Sequence, residues 1–336
     1  QDAIKYYSVT GKTNQNNGSD LLDYSKVFGH SIAQLAKKDD KIICVTAAME
    51  IGTGISTFIE KYPGRYIDVG IAEEHAVTYS AGLSAAGFKP IVPIYSTFMQ
   101  RAYDNIFHDA LLQELPLVYC MDRAGLVGPD GPTHHGVFDI SFMRSLPGMI
   151  VSAPKDGNEL RNLLATAIDS KRNFSIRYPK ASSRVFDMNL EPEILEIGKW
   201  EILQNGTIAA VLAVGSMVGM LMDSKDIIYR SLGYLPTIVN ARFIKPLDDE
   251  LLLTLCDTHE TIITIEEGTV MGGFGSAVSD FLHDNNQNNQ LTRLGIPDNF
   301  IQHGTRNELL QEVGLTADNL IAVLNRTVNK EEKYVF

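Results

Sequence analysis

From residue 41 onward, short apolar runs alternate with longer stretches whose apolar positions recur every three or four residues. KIICVTAA (41–48), RYIDVG (65–70), KPIVPIY (89–95), LPLVYCMD (115–122), GMIVSAP (148–154) and FSIRYP (174–179) are β-rich and bounded by Pro or Gly, which predicts strands. Between them, 73–86 reads as a helix closed by Gly87, and 97–113 as one closed by Pro116. Asp156 and Glu159 have capping-box spacing and open the helix NELRNLLATAI. A polar stretch, 181–197, breaks the rhythm, which restarts with TIAAVLAVG (207–215), a helix, PTIVNA (236–241), a helix from Asp248, and TIITIEE (261–267). The turn GTVMGGFGS, a helix through His283, the polar DNNQNNQ, the run LTRLGIP and a helix over about 306–328 complete the pattern. Such alternation predicts α/β architecture, with parallel sheets covered by helices on both faces. The expected organisation is a polar linker or disordered segment at 1–20, one domain at 21–183, a linker at 184–196 and a second domain at 197–336.

Composition narrows the function. With 44% apolar and 21% charged residues the chain is an ordinary globular one. A net charge of −12 without a basic run argues against nucleic acid as a partner. The longest apolar run, Ile208–Val214, is far short of the roughly 18–20 residues that span a bilayer, so no membrane association is expected. No signal-peptide pattern opens the chain, and Cys44, Cys120 and Cys256 lie far apart, which fits a reducing, cytoplasmic compartment. Cys44 and Cys120 read as small buried hydrophobes. The chain opens on Gln, from which we expect that something upstream has been removed.

Several chemistries lack their signatures. There is no Walker A loop, no GxGxxG after a strand, no GxSxG elbow, no HExxH and no structural-zinc spacing. Gly272-Gly273-Phe274-Gly275 leads into a helix and could meet an anion, but tight-turn packing is the favoured reading. His134 and His135 are adjacent, so their side chains diverge. What stands out is 66–144, where three successive strand ends carry polar side chains that a plain domain does not need. The first delivers Ile71, Glu73, Glu74 and His75 to a helix start, and helical geometry sets the two carboxylates about 100° apart, so both cannot serve one ligand equally. The second carries Tyr95, Phe98 and Arg101, and the third is the long Gly/Pro-rich loop MDRAGLVGPDGPTHHGVFD.

These segments resemble a known family. DVGIAEEHAVTYSAGLSAAGFKPIVPIYSTFMQRAYDNIFHDA and DRAGLVGPDGPTHHGVFDISFMRSLPGMIVSAP closely resemble 1-deoxy-D-xylulose-5-phosphate synthases, thiamine diphosphate enzymes of the transketolase superfamily. The likeness continues through RYP (177–179), GSM (215–217), NARFIKPLD (240–248), EEGTVMGGFGSAV (266–278) and GIPDNFIQHGT (295–305), covering about 21–325. It implies a pyrimidine-binding domain followed by a transketolase C-terminal domain, and condensation of pyruvate with glyceraldehyde 3-phosphate to 1-deoxy-D-xylulose 5-phosphate and CO₂, a precursor of isoprenoids, thiamine and pyridoxal. By the same resemblance Glu73 hydrogen-bonds N1′ of the cofactor's aminopyrimidine, Phe98 stacks on that ring, and Ile71 lines its site. A desolvated carboxyl there can share a proton with N1′, which is the physical reason for such a residue. His134 is implied near the thiazolium for proton transfer or for holding the pyruvate carboxylate. Tyr95, Arg101, Asp130 and Arg177 match positions that bind glyceraldehyde 3-phosphate, two guanidiniums around one phosphate being strong and directional.

One departure is large. The family carries a further α/β domain whose GDG…N pattern binds Mg²⁺ and the cofactor's diphosphate, and no GDG occurs here. The expectation is therefore the C-terminal part of a longer enzyme, or one subunit of a split one, inactive alone and working as a homodimer with the missing part. The alternatives are a stand-alone transketolase or 2-oxo acid dehydrogenase β-type subunit, and a catalytically silent assembly module.

Overall fold

The computed structural model describes residues 21–331, and side chains in the last helix to residue 326, so the expectation for 1–20 lies outside the described residues. The first sheet has seven strands in the order β10-β5-β6-β4-β3-β1-β2. These are β1 (Ile42–Thr46), β2 (Tyr66–Asp68), β3 (Lys89–Tyr95), β4 (Val118–Asp122), β5 (Ile150–Ser152), β6 (Phe174–Arg177) and β10 (Phe243–Lys245). All pairings are parallel except that of β10 with β5. The second sheet runs β12-β11-β8-β9-β7, built from β7 (Glu201–Gln204), β8 (Ala209–Ala213), β9 (Thr237–Asn240), β11 (Thr261–Thr269) and β12 (Gln290–Ile296). Only β7 is antiparallel there, paired with β9.

Burial explains why the inner strands are continuous apolar runs. Every residue of β1, β4, β6, β8 and β11 is buried, as expected for parallel strands covered on both faces. Helices Tyr24–Ala36 and Gly157–Ser170 pack together against the first sheet through Phe28, Ile32, Leu160 and Leu164, all fully buried. Cys44, Cys120 and Cys256 are buried free thiols.

The chain departs from the expected elements in several places. Helix Tyr24–Ala36, β7 and β10 were not foreseen. The stretch 97–113 is not one helix but a series: α-helical Ser96–Met99, a 3₁₀ turn Gln100–Ala102, α-helical Tyr103–Asn105 and a π-segment Ile106–Leu111. The region 306–328 is two helices, Arg306–Glu312 and Ala317–Glu331, separated at Gly314, whose φ is +72°. At Asp156 the cap forms by half: its carboxylate accepts from the Glu159 amide at 2.9 Å, while Glu159 reaches back one residue further, to the Lys155 amide at 2.7 Å. Finally, 184–196 is pinned to the first domain rather than hanging free, with Gln34 donating to the Leu190 carbonyl and Arg161 to that of Asp187.

Strand order reverses between β1 and β3, since β2 lies beyond one and β4 beyond the other. In open α/β sheets the crevice outside the carboxyl ends at such a switch point is where ligands bind. The loop after β1 and Tyr95 at the end of β3 meet there so closely that a Cβ on Gly52 would fall 1.6 Å from the Tyr95 hydroxyl.

Candidate active site

The carboxyl edge of the first sheet brings together side chains from all three segments singled out above. After β2, the Asp68 carboxylate accepts from the Ala48 and Gly70 amides at 2.8 and 2.9 Å, which fixes the turn into the helix Glu73–Ala85. Packing then decides between the adjacent carboxylates: Glu73 is 1% exposed, whereas Glu74 and His75 face outward. Arg101 Nη1 donates to Glu73 Oε1 at 2.7 Å, and the second carboxylate oxygen has no partner among the described residues. The Arg101 guanidinium also lies 4.7 Å from the Phe98 ring centre, a cation–π distance. Phe98 stacks with Tyr95 at 5.8 Å and meets the His134 ring edge-on at 5.4 Å. Glu73, Tyr95, Phe98, Arg101 and His134 thus form one contiguous group. Ile71, 82% exposed, stands on the same turn two residues before Glu73.

A second layer begins at the end of β4. Arg123, in the left-handed region at φ +60°, sets its guanidinium 3.9 Å over the Tyr95 ring and donates to Asp130 at 3.1 Å. Lys180 reaches the same carboxylate at 2.6 Å. Partial burial works against ionisation of Asp130, yet the hydrogen bond and charge of Lys180 and the charge of Arg123 outweigh it and hold the carboxyl below its ordinary range. Burial pushes the Tyr95 hydroxyl the other way, upward.

Arg177 is placed differently from the expected phosphate clamp. Its side chain is 5% exposed, and Nε donates to Asp139 Oδ2 at 2.8 Å while Nη2 donates to the Glu267 carbonyl at 2.9 Å. Arg101 and Arg177 share no partner. The cations that do meet a common group are Arg123 and Lys180, which sequence reasoning passed over although Arg123 lies within a quoted motif and Lys180 directly follows RYP.

The second domain holds the third segment in place. Glu267 accepts from the Leu126 amide and from the Ser216 hydroxyl, each at 2.8 Å, and is ion-paired with Arg306. Gly125 makes this approach possible: its φ is +81°, and a Cβ would lie 2.5 Å from the Glu267 carboxyl carbon. His135 turns inward, away from His134. It accepts from the Val127 amide at Nδ1, 3.1 Å, which leaves Nε2 as the donor to the Gln302 carbonyl at 3.2 Å. At GGFG the helix start is filled from within the chain, because Glu266 accepts from the Phe274 and Gly275 amides at 2.8 Å each. Burial raises the Glu266 carboxyl to about 7.

Asp122 is the least satisfied group at this edge. It pairs in register with Tyr95, is 0% exposed, and neither oxygen completes a hydrogen bond among the described residues. Burial raises its pKa to about 7; the Ser25 hydroxyl and the Arg123 charge and amide pull the other way without reaching it in bonding geometry. No group of three or more His, Cys, Asp or Glu able to hold a metal occurs among the described residues.

A parallel sheet with paired acid, aromatic and cationic groups at its switch point, followed by a second α/β unit bracing the loop, is the arrangement of a two-domain transketolase-type chain. Residues 20–185 match the family described as transketolase, pyrimidine binding domain, and residues 198–320 match transketolase, C-terminal domain; the chain belongs to the transketolase family. Curated relatives that it matches are named 1-deoxy-D-xylulose-5-phosphate synthase. The protein of that name from Oleidesulfovibrio alaskensis is 46% identical over 297 residues, which is 88% of this chain and 47% of the relative. One from a Synechococcus species is 48% identical over 311 residues, 92% of this chain and 48% of the relative. The chain therefore spans about half the length of the curated relatives it matches. Among solved structures, one titled "Split gene transketolase, inactive beta4 tetramer" superposes with a TM-score of 0.82 at 26% identity, covering 92% of this chain and 99% of that one.

Proposed function

We propose that this chain supplies the pyrimidine-binding and C-terminal domains, about 21–183 and 197–336, of a thiamine diphosphate-dependent 1-deoxy-D-xylulose-5-phosphate synthase. That enzyme condenses pyruvate with glyceraldehyde 3-phosphate and releases CO₂. The observation that carries this reading is the buried Glu73 carboxylate, with one oxygen on Arg101, the other unpartnered, and the Phe98 ring beside them. A carboxyl, an aromatic face and the exposed apolar side chain of Ile71 fit an aminopyrimidine, which is flat and has a basic ring nitrogen. Thiamine diphosphate, when bound, supplies the nucleophilic carbon and the electron sink. No cluster of His, Cys, Asp or Glu that could hold Mg²⁺ occurs among the described residues, so on this reading the metal and the diphosphate it bridges are held by another domain or subunit, and activity requires that part.

The chain's own residues then have separable tasks. Glu73 holds a proton at the pyrimidine nitrogen through its unpartnered oxygen, while Arg101 keeps the carboxyl oriented. Phe98 excludes water from that contact, and His134, edge-on to it, moves a proton on the substrate side. Tyr95, Arg123, Asp130 and Lys180 orient the acceptor: cations for its phosphate, and Asp130 for a hydroxyl. Arg177 acts from behind, holding Asp139 and the Glu267 carbonyl, and does not touch substrate.

The likeness to the split-gene transketolase chain supports a second reading of the assembly, in which these two domains form a separate subunit. The intact mass of the gene product separates the two, a value near 37.1 kDa meaning a subunit and a much larger one a fragment. For the chemistry, the assembled enzyme should use glyceraldehyde 3-phosphate as acceptor, and Glu73→Gln should lower kcat by several orders of magnitude with little change in substrate KM. Turnover with ribose 5-phosphate or lipoamide in its place would sink the proposal, and unchanged turnover in Glu73→Gln would point to a silent assembly module.

A further inference from the structure

Outside the candidate active site, a groove of about 450 Å³ lies between helix Tyr24–Ala36, the end of helix Ser56–Lys61 and the pinned segment 184–196. That volume is in the range of small-molecule sites. Its charge is one-sided. His30 and Lys37 project from one helix face, seven residues apart, and Lys61 enters from the neighbouring helix, while no carboxylate lines it. On a chain of net charge −12, two lysines and an imidazole converging on a groove that no carboxylate lines is a local exception. Of the carboxylates outside the lining, Glu191 is paired with Lys38 while also feeling the charge of Lys37, and Asp39 is paired with Lys89.

The walls are apolar and held in place. Tyr62 carries the Arg65 guanidinium 4.0 Å from its ring centre, and that arginine is fixed by the carbonyls of Ala36 and Asp39. Phe186 has the buried Arg161 guanidinium 5.6 Å from its ring, and Met188 extends the same wall. Two braced aromatic rings beside a cluster of cations suit a ligand with a flat or aliphatic body and a compact, multiply charged head. A phosphate ester, carrying up to two negative charges, answers two lysines and an imidazole that can take up a proton beside them better than a carboxylate does. We propose that this groove is a binding site for a phosphate monoester with an apolar body, separate from the candidate active site.

His30 is a built-in reporter. Burial, then the charges of Lys61 and Lys26, lower its proton affinity in the free protein, and Lys37 and Tyr62 are the other titratable groups lining the groove. A bound dianion reverses the charge its ring faces, so binding should raise the His30 pKa by about one unit. Histidine NMR on the full chain, with the signal assigned by His30→Gln, reads this directly. Phenyl phosphate should shift the His30 resonance saturably, and inorganic phosphate should require several-fold higher concentration because it cannot use Tyr62 and Phe186. Lys61→Gln, an exposed surface change, should weaken binding about fivefold, the upper end for a solvent-exposed ion pair. The proposal is overturned by a silent His30, by equal responses to both probes, or by a response that Lys61→Gln leaves unchanged.

Discussion

Replacing Asp122 by Asn removes one ionisation from the sheet edge at nearly constant volume. The side chain is 0% exposed with two unpartnered oxygens, and its pKa moves from 3.8 to about 7 on burial. Between those values the folded chain keeps a proton that the unfolded chain releases. Stability therefore falls as pH rises through that window, the reverse of a carboxylate with a lowered pKa. At about 1.4 kcal/mol per unit the ceiling is about 4 kcal/mol, and the part falling between pH 5 and 8 is about 2 kcal/mol once local relaxation is allowed for. Asp122→Asn should abolish that part. Any fixed cost of seating an amide shifts the mutant at every pH equally, so it drops out of the comparison. Urea unfolding at pH 5, 6, 7 and 8 gives both curves, and the gap between them should close or invert toward the mutant by about 2 kcal/mol as pH rises. Glu266, also raised to about 7, contributes the same slope to both proteins and cancels. Parallel curves across the range would refute the argument, since they would mean that Asp122 is ionised, and hydrated or paired, from pH 5 upward.

Two further outcomes test the bracing of the site. Arg177→Met should cost about 3–5 kcal/mol in unfolding experiments, because Asp139 would be left buried without its partner. Adding Asp139→Asn should recover part of that loss, and a cost below about 1 kcal/mol would show the pair to be hydrated. Gly125→Ala should destabilise by about 2 kcal/mol or more, since alanine at φ +81° is strained and its Cβ would displace Glu267. Unchanged melting and unchanged acceptor KM in the assembled enzyme would mean that the loop does not depend on this contact.

The sheets were legible because their inner strands are buried on both faces, so β-branched residues and short apolar runs mark them without ambiguity. What escaped has a physical reason in each case. β7 is a four-residue edge strand, only partly buried and half polar, and β10 is three residues long and pairs with a strand some ninety positions earlier. The stretch 97–113 has helical spacing throughout, but spacing does not reveal that the hydrogen-bond repeat changes to a π-turn at Leu112, whose amide bonds Phe107. Within the site, composition left Glu73 and Glu74 equivalent; the resemblance pointed to Glu73, and packing of the helix against β3 buries that one and leaves Glu74 outside. Arg177 was named, and Arg123 and Lys180 were not, because the resemblance matched it to a position that binds the phosphorylated acceptor. Alternation along β6 decides otherwise, turning Arg177 toward Asp139 and Tyr178 toward the opposite face.

The second domain takes part in shaping the site. Asp130 and His134 stand on a loop whose two ends meet at Gly125 and Gly136, hydrogen-bonded to each other, and everything between is a closed excursion. Such a loop gains definition only from what it leans on. Beside the first-domain contacts to Asp130 and His134, further supports come from the C-terminal half: Glu267 at the Leu126 amide, Gln302 at His135, and the Glu267 carbonyl on Arg177, with Ser216 and Arg306 keeping the Glu267 carboxylate in position. Each of these C-terminal supports is a buried or half-buried polar contact, which is expensive to leave unmade, so the loop and the second domain settle together. A change at Glu267 should therefore be felt at Asp130 and His134 without touching either, as a displaced acceptor site rather than as a lost catalytic group.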